Sequence, residues 1–113
     1  MTPVPPRDAE RLRHVIDACD RIDDYVGGSR AALDDPRTSD AVLYCLTIVG
    51  EALGALSDAT YARLPSVPTA APKAQRNLIV HEYWRVDRDV IWDTVSHALP
   101  RLRADASAVL GDV

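Results

Sequence analysis

Apolar residues in the first part of the chain recur at steps of three and four, the spacing of one face of an α-helix. This pattern begins near Arg7, after a proline-rich lead, and ends at Gly27-Gly28, a strong stop signal. Aspartates occupy the other side, which indicates a solvated, ion-paired surface rather than a metal site. The apolar stripe consists of Leu12, Val15, Ile16, Cys19, Ile22 and Val26.

A second helix is predicted after a turn at residues 34–36, with Thr38 or Ser39 as its N-cap residue. From Ala41 to Leu56 this helix is apolar nearly all round, which is typical of a central helix packed on several sides. Glu51 is the exception. A buried carboxylate is costly unless it is paired, so we expect Glu51 to meet an arginine or a hydroxyl group, at a subunit interface or near the site.

Three further helical segments are predicted in the second half of the chain. A helical turn around Thr60 to Leu64 precedes a proline-rich loop, and a longer helix covers Lys73 to about Tyr83. Asp87 caps the last helix, which Pro100 should kink or break because proline has no backbone N–H to donate. Its apolar side is drawn from Val90, Ile91, Val95, Ala98, Leu99 and Leu102. No segment shows strand-like alternation, so we predict one all-α domain over residues 1–113, an antiparallel bundle of four to five helices.

Composition and charge narrow the function classes. The net charge of −4 argues against a protein that coats nucleic acid non-specifically, because such binding needs many cationic contacts to phosphate. Residues 73–88 nevertheless hold four basic and two acidic side chains, so positive charge collects there. Cys19 and Cys45 lie within apolar patterns and are expected to be reduced and buried. The chain shows no secretory signal or membrane-length apolar run, so we expect a cytoplasmic protein.

The candidate catalytic residues lie in residues 76–83, which read Arg-Asn-Leu-Ile-Val-His-Glu-Tyr. Cleavage of RNA without metal needs a proton taken from the 2′-hydroxyl, a proton given to the leaving 5′-oxygen, and neutralisation of the phosphorane. A histidine such as His81 can transfer the protons, and Arg76 can bind phosphate oxygens in bidentate fashion. On spacing alone, however, a surface arginine and a histidine bonded at a helix end are the commoner arrangement.

The geometry of a single regular helix does not bring these two side chains together. Arg76 and His81 project roughly 140° apart at about 100° per residue. Either Arg76 reaches around the helix, or the motif lies near a helix end, or a second copy of the helix completes the pocket.

Several segments of the chain, including this motif, follow in the same order the sequence pattern of a known family. They are residues 11–18, 21–26, 40–42, 48–52, 64–68, 76–83, 86–87, 90–95 and 99–102. Over roughly residues 10–103 the chain resembles the HepT-like toxins of the HEPN superfamily. Collinear agreement of this length is more specific than a short motif.

The resemblance implies an R-x4-H-x-Y motif in which Arg76 and His81 are the catalytic pair of a ribonuclease that uses no metal and no cofactor. Asn77 is expected to help to orient the phosphate. The resemblance further implies a homodimer with both motifs lining one cleft, and an antitoxin partner, a minimal nucleotidyltransferase called MntA. That partner would transfer AMP to Tyr83, which adds negative charge where the RNA phosphate must lie.

Two alternatives remain open from the residues. The chain could be a non-catalytic helical companion of a nucleotidyltransferase, which its acidity favours. A metal site is the other alternative, although its residues straddle a predicted helix break and lack paired His/Cys spacing; they are His81, Glu82, Asp87 and Asp89. Trp84 and Trp92 could stack on bases, but core or interface packing is the commoner use of tryptophan.

Overall fold

The described part of the chain, residues 3–67 and 88–111 of a computed structural model, consists of helices and contains no β-strand. The all-α prediction is thereby confirmed. Among these residues, no helix is both long enough and apolar enough to cross a membrane. In chain order the elements are α1 (Pro6–Val26), a 3₁₀ helix (Arg30–Asp34), α2 (Pro36–Ala55), α3 (Asp58–Tyr61), α4 (Arg88–Asp93), a π-helix (Thr94–Ala98) and α5 (Leu99–Leu110).

The bounds of α1 follow from its terminal residues. Pro6 occupies the first turn, where its fixed φ suits the helix and its missing N–H is not needed. Gly27 ends the helix in a left-handed conformation, with φ 58°, and its N–H donates to the Asp23 carbonyl at 2.8 Å. The predicted stripe is buried except for Ile16, which is partly buried, so the prediction for this helix is confirmed to within one residue at each end.

The start of α2 differs from the prediction. Asp35, not Thr38 or Ser39, is the N-cap residue: its Oδ1 accepts from the Arg37 N–H at 3.1 Å. Pro36 follows in the first helical turn. An aspartate directly before a proline combines a short acceptor with a preorganised φ, so the helix begins several residues before the apolar run that marked it in the sequence.

The long helices pack with α1 between α2 and α5. The first turn of α1 meets the end of α2, because the Ser57 N–H donates to Asp8 Oδ1 at 3.1 Å. The later part of α1 meets the start of α5, where Cys19 Sγ lies 3.9 Å from the Leu99 carbonyl oxygen. Neighbouring helices therefore run antiparallel, as predicted. Each large aliphatic side chain buried between them stabilises the fold by about 1.5–3 kcal/mol.

The packing of α2 corrects the prediction that it is covered on several sides. One side contributes to the core, and the other side is open to solvent, where Tyr44 is 61% exposed. Glu51 lies on the open side and is exposed, so within this chain it avoids the cost of burial for which we had expected an arginine or hydroxyl partner at a subunit interface or near the site. The buried side comprises Val42, Cys45, Leu46, Val49, Gly50, Ala52 and Leu53.

Pro100 changes the last helix without ending it. The π-helix lies directly before α5, and the Leu99 N–H donates to the Thr94 carbonyl, five residues back. A wider turn here relieves the clash that the proline ring would otherwise make with the preceding turn. Ile91, Val95, Leu99 and Leu102 are buried as predicted, whereas Val90 and Ala98 are exposed.

Candidate functional site

The four residues predicted to form or regulate the site are Arg76, Asn77, His81 and Tyr83. All four lie in residues 68–87, outside the described residues, as do the predicted third helix, the Asp87 cap and Trp84. The geometry within the motif therefore stays a prediction. The structure describes the residues on either side of this segment, up to residue 67 and from residue 88 onward.

The chain that leads into the segment is attached to the core and to α5. Leu64 and Tyr61 are buried, and Val67 packs against the core. The Ser66 N–H donates to Asp105 Oδ2 at 2.9 Å, across 39 residues of sequence. The segment thus leaves the bundle from a position beside α5.

The chain that follows the segment is attached to the 3₁₀ helix by two ion pairs. Arg88 Nη1 lies 2.6 Å from Asp34 Oδ1, and the Arg30 guanidinium pairs with Asp89. Each of the two short helices supplies one cation and one anion, and the cation of each pairs with the anion of the other. All four side chains are more than half exposed, so each pair contributes about 0–1 kcal/mol. They place the first described residues of α4 beside the 3₁₀ helix.

Sequence reasoning missed a buried polar cluster around Asp8. This carboxylate is 4% exposed and accepts hydrogen bonds from both the hydroxyl and the N–H of Ser57 and from the hydroxyl of Thr60. The Ser57 hydroxyl in turn caps α3 by accepting from the Thr60 N–H. The available signal was a Ser-x-x-Thr pair before a helical turn, together with an acid in the first turn of α1. Because its oxygens are engaged by donors, the cluster is suited to holding helices together rather than to proton transfer.

A second polar cluster, on the π-helix, has the residue types of a hydrolytic triad but not its geometry. His97 Nδ1 lies 3.2 Å from Asp93 Oδ1 and 3.0 Å from Ser96 Oγ, so both neighbours meet the same ring nitrogen. A triad needs the acid and the nucleophile on opposite nitrogens. The Ser96 hydroxyl also donates to the Trp92 carbonyl at 2.6 Å. These contacts therefore support the helix rather than nucleophilic catalysis.

The two cysteines are buried and free, as predicted. Burial, with a smaller contribution from Asp20, raises the pKa of the Cys19 thiol to about 12. Burial also raises the pKa of Cys45. Because the thiolate is the nucleophilic form, neither side chain is suited to covalent catalysis at neutral pH.

The alternative of a metal site gains no support from the described residues. Within residues 3–67 and 88–111, no three candidate ligands come together. Of the four residues weighed for that site only Asp89 is described, and its carboxylate is paired with Arg30. Trp92 is partly buried and packs against the core, the commoner of the two uses considered for it.

The fold is that of a small antiparallel helical bundle, and comparison with known proteins specifies its family. The sequence model described as "Ribonuclease HepT-like" matches residues 15–109, a range that contains the candidate motif. The chain belongs to the HepT-like ribonuclease family.

Individual relatives agree with this assignment. A protein named "Probable ribonuclease HepT" from Thermococcus cleftensis is 32% identical over 71 residues, which cover 63% of this chain and 64% of that protein. A protein named "Putative RNase" from Caldanaerobacter subterraneus subsp. tengcongensis is 27% identical over 101 residues, 88% of this chain and 90% of the relative. Against two RNase-named relatives from Methanocaldococcus jannaschii the chain spans 60% and 63% of their length. No solved structure gives a significant match.

Proposed function

We propose that this chain is a metal-independent RNA endonuclease and the toxin of a toxin–antitoxin pair. The observation that carries the proposal is the family match over residues 15–109, which encloses an intact Arg76-x4-His81-x-Tyr83 motif. The relatives named as ribonucleases support the same activity. The substrate would be RNA, because the reaction uses the 2′-hydroxyl as nucleophile.

In the proposed reaction His81 handles the proton transfer. The 2′-hydroxyl loses its proton, its oxygen bonds to the adjacent phosphorus, and the bond from phosphorus to the 5′-oxygen breaks as that oxygen gains a proton. Arg76 binds the non-bridging oxygens and neutralises the charge of the phosphorane, and Asn77 orients the phosphate. The products are a 2′,3′-cyclic phosphate and a 5′-hydroxyl.

The proposal includes two partners. A second copy of the chain would place two motifs in one cleft, which answers the 140° separation of Arg76 and His81 on a single helix. An MntA-like nucleotidyltransferase would act as antitoxin by transferring AMP to Tyr83, where the added phosphate repels the RNA backbone. The cytoplasm is the compartment in which this pair would act.

Purified protein incubated with RNA in EDTA tests the activity. We expect cleavage with cyclic-phosphate ends, abolished in His81→Ala and in Arg76→Ala while both variants keep their helical circular dichroism. His97→Ala is the matched control, since His97 is exposed and lies on the π-helix, and it should cleave RNA like the wild type. Undiminished cleavage by His81→Ala would refute the role given to that histidine.

The second candidate function is a non-catalytic helical subunit of a nucleotidyltransferase, which the net charge of −4 favours. Expression in bacteria separates the two functions. Growth arrest that the neighbouring nucleotidyltransferase relieves supports the toxin. Growth that is indifferent to the chain, together with no cleavage of RNA by the purified protein, supports the binding subunit.

A further inference from the structure

The solvent side of α2 carries a continuous stripe of side chains that are not fully buried, although one of them, Ile48, also packs against the core. Tyr44, near its centre, is the most exposed of the large hydrophobic side chains in the described residues. The members of this α2 stripe recur at steps of three, four and seven, so they share one face. They are Arg37, Asp40, Ala41, Tyr44, Thr47, Ile48 and Glu51, all of them exposed or partly buried.

Two of the three charged side chains of the α2 stripe, Arg37 and Glu51, are placed symmetrically about Tyr44, whereas Asp40 would face Ile48 across an axis at this position. Arg37 lies seven residues before Tyr44 and Glu51 seven residues after it, which is about 10 Å along the helix in either direction. Among the described residues neither of these two charged side chains forms an ion pair. A two-fold axis through Tyr44 would place each Arg37 opposite the Glu51 of a second copy, because the two positions exchange under that rotation.

The surface beside Tyr44 is concave. A hollow of about 290 Å³ is lined by Asp40, Leu43, Tyr44 and Thr47. Since a cavity of about 150 Å³ can hold benzene, this hollow has room for a tyrosine ring. The same axis that pairs Arg37 with Glu51 brings the Tyr44 ring of one copy to the hollow of the other. Charge and shape thus agree on a single register.

We propose that a second copy of this chain packs antiparallel against the α2 stripe, with the two-fold axis at Tyr44. An RNA strand fits this surface poorly, because Asp40 and Glu51 would face its phosphates. An unrelated helix could bind here, but it would not require opposite charges at equal distances from the centre. The inference deepens the homodimer of the proposed function, and it is tested without any measurement of RNA cleavage, so the two can fail separately.

Sedimentation velocity over a dilution series of the full chain tests the arrangement. We expect a concentration-dependent dimer for the wild type. Tyr44→Arg should weaken dimerisation roughly tenfold or more, because it places a cation in each hollow at the axis. Arg37→Glu and Glu51→Arg should each weaken the dimer similarly, since both create two contacts between like charges.

Two rescues depend on the antiparallel register. The double variant Arg37→Glu with Glu51→Arg reverses both charges and should restore dimerisation. An equimolar mixture of the two single variants should form mixed dimers, because opposite charges then meet at both contacts. In a parallel pair Arg37 would already face Arg37, so the single reversals would not weaken the dimer.

The controls are the same charge reversals made elsewhere on the surface. Arg101→Glu on α5 and Glu10→Arg on α1 both change exposed side chains outside the α2 stripe and should leave dimerisation unchanged. Far-UV circular dichroism and thermal melting check that every variant is folded. The proposal is overturned if the wild type stays monomeric, as it would if residues 68–87 of the same chain or an unrelated protein covers the stripe. It is equally overturned if a dimer forms but is insensitive to changes at positions 37, 44 and 51.

Discussion

Thr60 Oγ1 donates a 2.5 Å hydrogen bond to Asp8 Oδ2 and thereby joins α3 to the first turn of α1 across 52 residues of sequence. The Ser57 hydroxyl donates to the same oxygen, also at 2.5 Å. Hydrogen bonds to a buried carboxylate are among the stronger ones in proteins. This contact therefore fixes α3, the last helix before residues 68–87 and the candidate motif within them.

Replacement of Asp8 by asparagine tests this contact. The variant keeps the size of the side chain but removes the charge and turns one acceptor into a donor that faces two hydroxyl groups. We expect the free energy of unfolding to fall by about 1–3 kcal/mol, measured by urea denaturation at neutral pH. Asp24→Asn, an exposed change on the same helix, should have little effect. Equal stability of the two variants would show that the cluster does not hold the helices together.

The ion pair between Arg88 and Asp34 should contribute little to global stability and should depend on salt. We expect the coupling energy between the two side chains, from a double-mutant cycle with Arg88→Ala and Asp34→Ala, to be about 0.2–1 kcal/mol. It should shrink in high salt because exposed charges are screened. A cycle between Arg101 and Asp34, which do not pair, should give no coupling. A coupling energy that is independent of salt would contradict a solvent-exposed pair.

The buried Cys19 thiol should make the fold sensitive to alkali above the thiol pKa of the unfolded state. Because burial raises the thiol pKa from 9.0 to about 12, the folded state keeps the proton longer than the unfolded state does. The stabilisation is fully present below pH 9 and is lost as the pH rises from about 9 to about 12, by at most about 1.4 kcal/mol per pH unit. Denaturation at several pH values measures this slope.

The control for that measurement is Cys19→Ala, which should lose stability less steeply above pH 9 than the wild type. The wild-type thiol should also react with iodoacetamide at pH 8 only when denaturant is present, since little thiolate forms in the folded state. Rapid alkylation of Cys19 in the folded protein would contradict the burial described here.

The sequence predicted those parts of the fold that depend on neighbouring residues. Gly27 marks the end of α1 because its left-handed conformation is a local property, and the apolar stripe before it follows from helical periodicity. The open side of α2 was not predicted, since the largely apolar Tyr44 looks like a core position in a sequence pattern but is exposed. The Asp8 cluster was also missed, because its partners are 49 and 52 residues away and no local rule brings them together.

The candidate site was predicted by a different route. Arg76 and His81 were singled out by their chemistry and by the resemblance of the whole chain, and the family match supports that resemblance over residues 15–109. Their relative position depends on how residues 68–87 fold and on what a second copy contributes. Neither is encoded in helical periodicity, so the pairing of these two side chains stays a prediction.

Modification of Tyr83 can be tested separately from RNA cleavage. In the proposed step the tyrosine oxygen attacks the α-phosphorus of ATP, pyrophosphate leaves, and the phenolic proton is lost to solvent. Incubation with the neighbouring nucleotidyltransferase and ATP should add the mass of one adenylate to the wild type and none to Tyr83→Phe. Tyr44→Phe and Tyr25→Phe, changes at two exposed tyrosines, should still be modified. A Tyr83→Phe variant that gains the same mass would place the acceptor elsewhere, whereas the ribonuclease assignment would stand or fall on the His81 variants alone.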